Sequence, residues 1–169
     1  MNQNRYEVQE LWSRIRGYNC FGCAPHNDYG LSLSFVEHES DISAPFKLSP
    51  SYSSFPGVVH CGIIATILEE VMGNVLVIKA RRLCFTLKLS IKYVEPVLVN
   101  GEYTARANIE STDGDYYEIG AGIYDRENNI VAAAKGSYKA ISPQQAMRAM
   151  DIDESTMAEF MTYLRNDSK

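Results

Sequence analysis

The sequence predicts an α+β domain in which a curved antiparallel β-sheet wraps one long central helix. First, apolar residues recur at helical spacing over residues 61–80. Second, apolar and polar residues alternate over residues 83–93, which is the period of a strand. Third, the turn dipeptides that follow favour antiparallel strand pairing: Asn100-Gly101, Asp113-Gly114 and Asn128-Asn129. Because the helix is apolar over most of its circumference, it has to be covered, and a long curved sheet can cover it.

Shorter elements are predicted on both sides of this helix. Apolar residues at helical spacing predict an N-terminal helix at about residues 5–16. Alternation predicts a strand over 31–36, and we expect a second strand over 41–48. The Ser- and Pro-rich residues 49–57 predict a loop. A meander of four strands should follow the helix, and a C-terminal helical extension at about 143–165, broken near 151–153, should close the domain.

The composition favours one folded domain over residues 1–169. A chain of 169 residues is short for two domains, and its net charge of −5 argues against a nucleic-acid partner. No secretory signal is visible at the N-terminus, so we expect the four cysteines to be reduced thiols in a cytoplasmic protein. The apolar segment carries Glu69, Glu70 and Asn74, which predicts a buried helix and no membrane span.

The helix has two different faces. On a helical wheel one side is apolar, and the opposite side carries two glutamates among small residues: Ala65, Thr66, Glu69, Glu70 and Gly73. One interpretation is a solvated face with two surface carboxylates. The alternative is a carboxylate that lines a cleft against a partner subunit or a ligand. We expect Glu70 to be structural and paired with a basic residue.

The start of the helix offers backbone donors. His60 precedes the helix, and the amides of Cys61 and Gly62 could point at a carbonyl oxygen, because the first amides of a helix lack intrahelical acceptors. In the alternative interpretation, Gly57 serves only a turn and His60 only caps the helix.

Three segments carry a resemblance to a known family. The stretch FPGVVHCGIIATILEEVMG resembles the signature helix of hotdog-fold acyl-CoA thioesterases of the phenylacetate-pathway type. The segments CFGCAPHNDYGLSLSF and FTLKLSIKYVEPVLVNGEY resemble the sequences before and after that helix. Together they span about Cys20 to Tyr138 in the family's order. The resemblance implies the hotdog fold.

The resemblance also implies roles for individual residues. The family's acid, a general base or nucleophile, falls on Glu69, and the histidine that orients the thioester falls on His60. The amide that polarises the thioester carbonyl falls on Cys61, where the family has glycine. A polar residue near the acyl group falls on Ser54. A threonine that faces the other subunit's acid and positions water falls on Thr86.

Further substrate contacts are expected on both sides of the helix. Phe55 and Gly57, which follow Ser54, should contact the substrate. Arg81 and Arg82 follow the helix. In one interpretation they contact the phosphates of coenzyme A together with Lys88. In the other they form a solvated helix end that complements the helix dipole.

The cysteines allow more than one interpretation. Cys20 and Cys23 have Cys-x-x-Cys spacing, which we interpret as a packed, reduced pair in a turn, with no metal. A metal or redox site remains the alternative. Cys61 could act as a nucleophile with His60 as its base, which is a second alternative for the site.

These observations predict an acyl-CoA thioesterase without a cofactor, acting as a homodimer or a dimer of dimers with active sites between subunits. Its partner would be the acyl-CoA substrate. Two alternatives stay open because a fold does not fix a function. One is a non-catalytic acyl-CoA or acyl-binding hotdog protein, and the other is a hotdog dehydratase or hydratase.

Overall fold

The structure is a computed structural model that describes residues 12–13, 15, 17–150 and 152–165. Most of the predicted N-terminal helix at about 5–16 lies outside the described residues. Within that range, Trp12 and Ser13 are described as helical.

Eight strands and three α-helices are present among the described residues. The strands are β1 (Val36–Glu37), β2 (Ile42–Lys47), β3 (Ser53–Phe55), β4 (Val58–Val59), β5 (Cys84–Tyr93), β6 (Glu102–Asp113), β7 (Tyr116–Tyr124) and β8 (Ile130–Ala140). The helices are α1 (Cys61–Val75), α2 (Pro143–Ala149) and α3 (Glu154–Arg165), with a short 3-10 helix at Pro50–Tyr52. The predicted long helix is confirmed, and its last five residues, Leu76–Ala80, continue α1 as a π-helix.

Six strands form one antiparallel sheet in the order β1-β2-β6-β7-β8-β5. The expected meander is confirmed for β6, β7 and β8, but β5 pairs with β8 and not with β6. The reason is that β2 pairs with β6 along the edge that β5 would need. Asn100 adopts a left-handed turn conformation as predicted (φ 61°), yet it does not join two neighbouring strands. As a result β5 is an edge strand of this sheet.

The sheet packs on the predicted apolar side of α1. Residues on that side are fully or almost fully buried: Ile64, Ile67, Leu68, Val71, Met72 and Val75. Small residues on the facing strands let the helix approach closely. At Gly136 an added Cβ would lie 3.2 Å from Met72 Sδ, so a larger side chain at position 136 would clash with the helix.

The outer elements match the predictions in part. The predicted break in the C-terminal extension is confirmed, with α2 capped by Ser142 and α3 burying Met157 and Phe160. The strand expected over 31–36 is mostly absent, since β1 begins at Val36. The amide of Leu31 donates instead to the carbonyl of Phe21, which holds the segment against the preceding turn.

Cys61–Ala80 is the one helix among the described residues whose length and composition would allow a membrane crossing. Of its most apolar window, 56% is buried inside the fold. That degree of burial is typical of a core helix.

Candidate active site

The first turn of α1 is closed by its N-cap. His60 has extended backbone angles (φ −63°, ψ 133°), and its Nδ1 accepts a hydrogen bond from Gly62 N at 2.8 Å. The capping interpretation of His60 is therefore confirmed, and the amide of Gly62 already has an acceptor. The amide of Cys61 has no acceptor among the described residues. It is therefore the donor that this helix end can offer to a carbonyl oxygen.

The side chain of Cys61 is exposed at this turn. Its carbonyl accepts a hydrogen bond from the hydroxyl of Tyr93 on β5 at 3.1 Å, which ties the helix start to the edge strand. Because His60 Nδ1 is bonded to Gly62, it is not bonded to the Cys61 thiol. The geometry gives no support to a Cys61–His60 nucleophile pair.

The hairpin of β3 and β4 carries three expected substrate-binding residues beside the helix start. Gly57 lies in its turn with φ 83°, a conformation that favours glycine. The turn is fixed because the carbonyl of Gly57 accepts a hydrogen bond from Val99 N at 3.0 Å. Ser54 is exposed, and Phe55 is 74% exposed. The hairpin thus holds an uncovered aromatic side chain next to the helix N-terminus.

Glu69 forms the centre of the candidate site. It lies half-buried in the third turn of α1, and its Oε1 accepts a hydrogen bond from Thr86 Oγ1 at 2.7 Å. The resemblance implied that this threonine faces the acid of another subunit. In the structure the contact forms within one chain, and it fixes one carboxylate oxygen while the other stays available.

A β-bulge in β5 produces this contact. Thr86 pairs with Tyr138 and Lys88 pairs with Ser137, so Leu87 is an extra residue. The predicted uninterrupted alternation over 83–93 is therefore wrong, because an extra residue reverses which side later residues face. Thr86 faces the helix together with buried Tyr138, whereas Lys88 lies with Ser137 on the opposite side of the sheet.

Tyr138 brings a second hydroxyl to the same place. It is 1% exposed, and its OH has no hydrogen-bond partner among the described residues. Burial, together with the negative charge of Glu69, raises the pKa of the Tyr138 phenol above its usual range, so the phenol stays protonated at neutral pH. Tyr138 does not stand out as a site residue in the sequence. Alternation within β8 predicts its face, but only the strand register places it opposite Thr86.

We expect Tyr138→Phe to preserve or raise stability. A buried hydroxyl without a partner costs about 1–3 kcal/mol, so its removal should increase the free energy of unfolding. For a domain of this size each kcal/mol shifts Tm by roughly 2–4 °C. Thermal unfolding of wild type and variant measures the difference. A fall in Tm of several degrees would show that the phenol makes a hydrogen bond in the folded protein.

Glu70 faces away from this site. The Cys20 thiol donates to Glu70 Oε1 at 2.9 Å, and Asn74 Nδ2 donates to Oε2 at 3.4 Å. The expected basic partner is therefore replaced by a thiol and an amide. Burial raises the pKa of Glu70 to about 8.

The expected phosphate-binding residues lie far from Glu69 within one chain. Arg81 and Arg82 follow Glu69 by 12 and 13 residues, which places them roughly 18–20 Å further along the helix axis at 1.5 Å per residue. Lys88 lies on the other side of the sheet, as the bulge dictates. The structure therefore brings together Glu69 and Thr86 but not the basic residues.

A family model matches the part of the chain that contains α1 and most of the sheet. Residues 56–132 match the family model described as Thioesterase superfamily. The matched segment runs from the β3–β4 turn into β8, so it contains both Glu69 and Thr86. No curated protein matches the sequence.

Solved structures resemble about two thirds or more of this chain's fold at low sequence identity. A crystal structure described as a thioesterase superfamily protein superposes with a TM-score of 0.68 at 18% identity, covering 82% of this chain and 68% of the other. A hypothetical thioesterase from Streptococcus pneumoniae, solved with coenzyme A, gives 0.58 at 18% identity, covering 62% and 84%. The E. coli PaaI protein from the phenylacetic acid degradation operon gives 0.62 at 12% identity, covering 66% and 81%. These likenesses confirm the predicted hotdog fold.

Proposed function

Because residues 56–132 match the family model of the Thioesterase superfamily and the chain has the hotdog fold, we propose that it is an acyl-CoA thioesterase. It would hydrolyse an acyl-CoA thioester to the free acid and coenzyme A. The observation that carries the proposal is the Glu69 carboxylate, half-buried and held by Thr86 at 2.7 Å. The coenzyme A in the Streptococcus pneumoniae neighbour supports the substrate class.

Hydrolysis needs a base for water and a donor for the carbonyl oxygen. Glu69 takes a proton from the attacking water through the oxygen that Thr86 leaves available. The amide of Cys61 stabilises the negative charge that develops on the thioester oxygen. Collapse of the tetrahedral intermediate breaks the carbon–sulfur bond, and the thiolate of coenzyme A leaves with the proton that Glu69 took.

The Glu69 carboxylate and the Cys61 amide of one chain are too far apart to act on the same thioester carbonyl. Glu69 follows Cys61 by eight residues, which places them about 12 Å apart along the axis at 1.5 Å per residue. A reacting carbonyl needs both groups within roughly 3 Å. We therefore propose that Glu69 of one subunit acts with Cys61 of another, as in the homodimer or dimer of dimers that the sequence analysis expects.

The edge strand β5 supports this assembly. It ends the sheet, so one row of its backbone groups is open to pairing with another chain. Large apolar side chains are exposed on and just beyond it: Phe85 at 41%, Leu87 at 55%, Tyr93 at 47% and Val94 at 43%. A two-fold contact through β5 would cover these side chains and bring the two copies of Thr86 close to the interface.

The test is thiol release from a panel of acyl-CoA esters of short, long and aromatic acyl groups. The proposal requires turnover of at least one member by the wild type. If the wild type binds acyl-CoA without releasing thiol, the non-catalytic binding protein replaces the thioesterase. That alternative is favoured by the bond between Gly62 N and His60, which removes one donor from the site.

Thr86→Val should lower kcat/KM by roughly tenfold to a hundredfold. The variant keeps the shape of the side chain but removes a hydrogen bond to a carboxylate, which is worth about 1.5–3 kcal/mol. Steady-state thiol release with the best panel substrate measures the loss. Thr86→Ser keeps the hydroxyl and should restore most of the rate. Equal rates for valine, serine and wild type would contradict a positioning role for Thr86.

A further inference from the structure

A second group of reactive side chains lies where the N-terminal loop meets α1. Cys20 Sγ, Cys23 Sγ and a carboxylate oxygen of Glu70 all lie within 4.8 Å of one another. We propose that these three side chains bind a divalent transition metal of the zinc type. The site is separate from the proposed thioesterase chemistry, although Glu70 directly follows Glu69 in α1.

The donor set suits this class of metal. Zinc binds cysteine thiolates and carboxylate oxygens, and it takes four ligands in most protein sites. Three protein ligands leave one position for a water molecule. The Cys-x-x-Cys spacing places two sulfur donors in one turn. The fold brings the carboxylate of Glu70, which is 47 residues further along the chain than Cys23, to the same place.

The turn between the cysteines is shaped to receive the carboxylate. Gly22 N donates a hydrogen bond to Cys20 Sγ at 3.3 Å, which fixes the position of this sulfur in the turn. At Gly22 an added Cβ would lie 2.2 Å from Glu70 Cγ, a distance that real Cβ contacts do not reach. Glycine at this position therefore makes the space in which Glu70 meets both sulfurs.

Hydrogen bonds with surrounding side chains orient two of the three ligands. Tyr18 OH lies 2.8 Å from Cys23 Sγ, and Asn74 Nδ2 donates to Glu70 Oε2 at 3.4 Å. Trp12 Nε1 in turn donates to Asn74 Oδ1 at 3.4 Å. Such outer hydrogen bonds are typical of metal sites, where they fix the direction of each ligand.

The charges of the cluster also favour a cation. The described hydrogen-bond partners of the two thiols and the carboxylate are a phenol, an amide and backbone groups, none of which is positively charged. A metal ion displaces the protons of its thiol and carboxyl ligands, and the negative charges that this produces have no counter-charge among these partners. A divalent ion supplies that charge, and it would join the loop around residues 18–23 to α1.

The test is metal titration of the full-length, fully reduced protein. Co²⁺ should produce thiolate-to-metal charge-transfer absorption that saturates at one ion per chain, and Zn²⁺ should displace it. Zn²⁺ should also slow the reaction of Cys20 with a thiol reagent and raise Tm. Cys20→Ser and Cys23→Ser should abolish the absorption, and Glu70→Gln should weaken binding. Cys61→Ser and Cys84→Ser are the matched controls and should bind normally.

Gly22→Ala provides a variant that removes no ligand. The added methyl group would displace the Glu70 carboxylate, so we expect weaker Co²⁺ binding while both sulfur ligands remain. Several results would overturn the proposal: no charge-transfer band in the folded wild type, a Cys20 thiol that reacts equally fast with and without Zn²⁺, or loss of binding in Cys61→Ser. The last result would place the metal at the exposed helix start.

Discussion

Glu69→Gln is expected to lower kcat for thiol release by about 10²- to 10⁴-fold, the range that a positioned general base contributes. Glutamine keeps the size of the side chain and can still accept the hydrogen bond from Thr86 Oγ1, which is 2.7 Å long in the wild type. What it loses is the ability to take a proton from water. The measurement is steady-state hydrolysis of the panel substrate that the wild type uses best.

Glu110→Gln is the matched control for Glu69→Gln. Glu110 lies on β6 and forms an ion pair with Lys135 at 2.8 Å, away from α1, so its loss should leave kcat unchanged. Circular dichroism should give the same folded spectrum for both variants. A Glu69→Gln enzyme that keeps more than about a tenth of the wild-type rate would exclude Glu69 as the base.

Cys61→Pro is expected to lower kcat by about 10²- to 10³-fold, the loss that follows removal of one oxyanion donor. Proline lacks the backbone N–H but fits the first position of a helix. The preceding residue, His60, already has the extended backbone (ψ 133°) that proline requires of its neighbour. The variant thus removes the one N-terminal amide without an acceptor among the described residues, and the cap of α1 can remain.

Cys61→Ala separates the amide from the side chain. It keeps the N–H and removes the thiol, so the account expects it to retain most of the wild-type activity. A large loss in Cys61→Ala, with little further loss in Cys61→Pro, would point to the thiol as the reacting group. Thermal unfolding should show that both variants fold.

Much of the fold could be predicted from residue patterns. The helix period over 61–80 and the turn dipeptides indicate a helix followed by antiparallel strands, and both are present. The position of β5 beside β8 could not be predicted, because pairing depends on β2 occupying the edge of β6. A local residue pattern does not show whether β2 or β5, which are far apart in the sequence, pairs with β6.

Only those parts of the site that lie within a single sequence motif could be predicted. Glu69, His60 and Thr86 stand out in the motifs, yet the bulge at Leu87 decides that Thr86 turns towards Glu69. Alternation alone placed Thr86 on the face opposite Leu89 and Ile91, whereas the bulge brings all three to the helix side of the sheet. Glu70 shows the same limit, since its neighbours Cys20 and Cys23 are brought to it only by the folded loop.

The most direct test of the account is activity in mixed dimers. Two differently tagged chains, one carrying Glu69→Gln and the other Cys61→Pro, would be coexpressed and the species containing both tags purified. If each site joins Glu69 of one subunit to Cys61 of the other, one site per mixed dimer keeps both groups, and roughly half of the wild-type kcat should return. If mixed dimers are no more active than the two parent variants, the base and the amide do not act across subunits, and the proposed site is wrong.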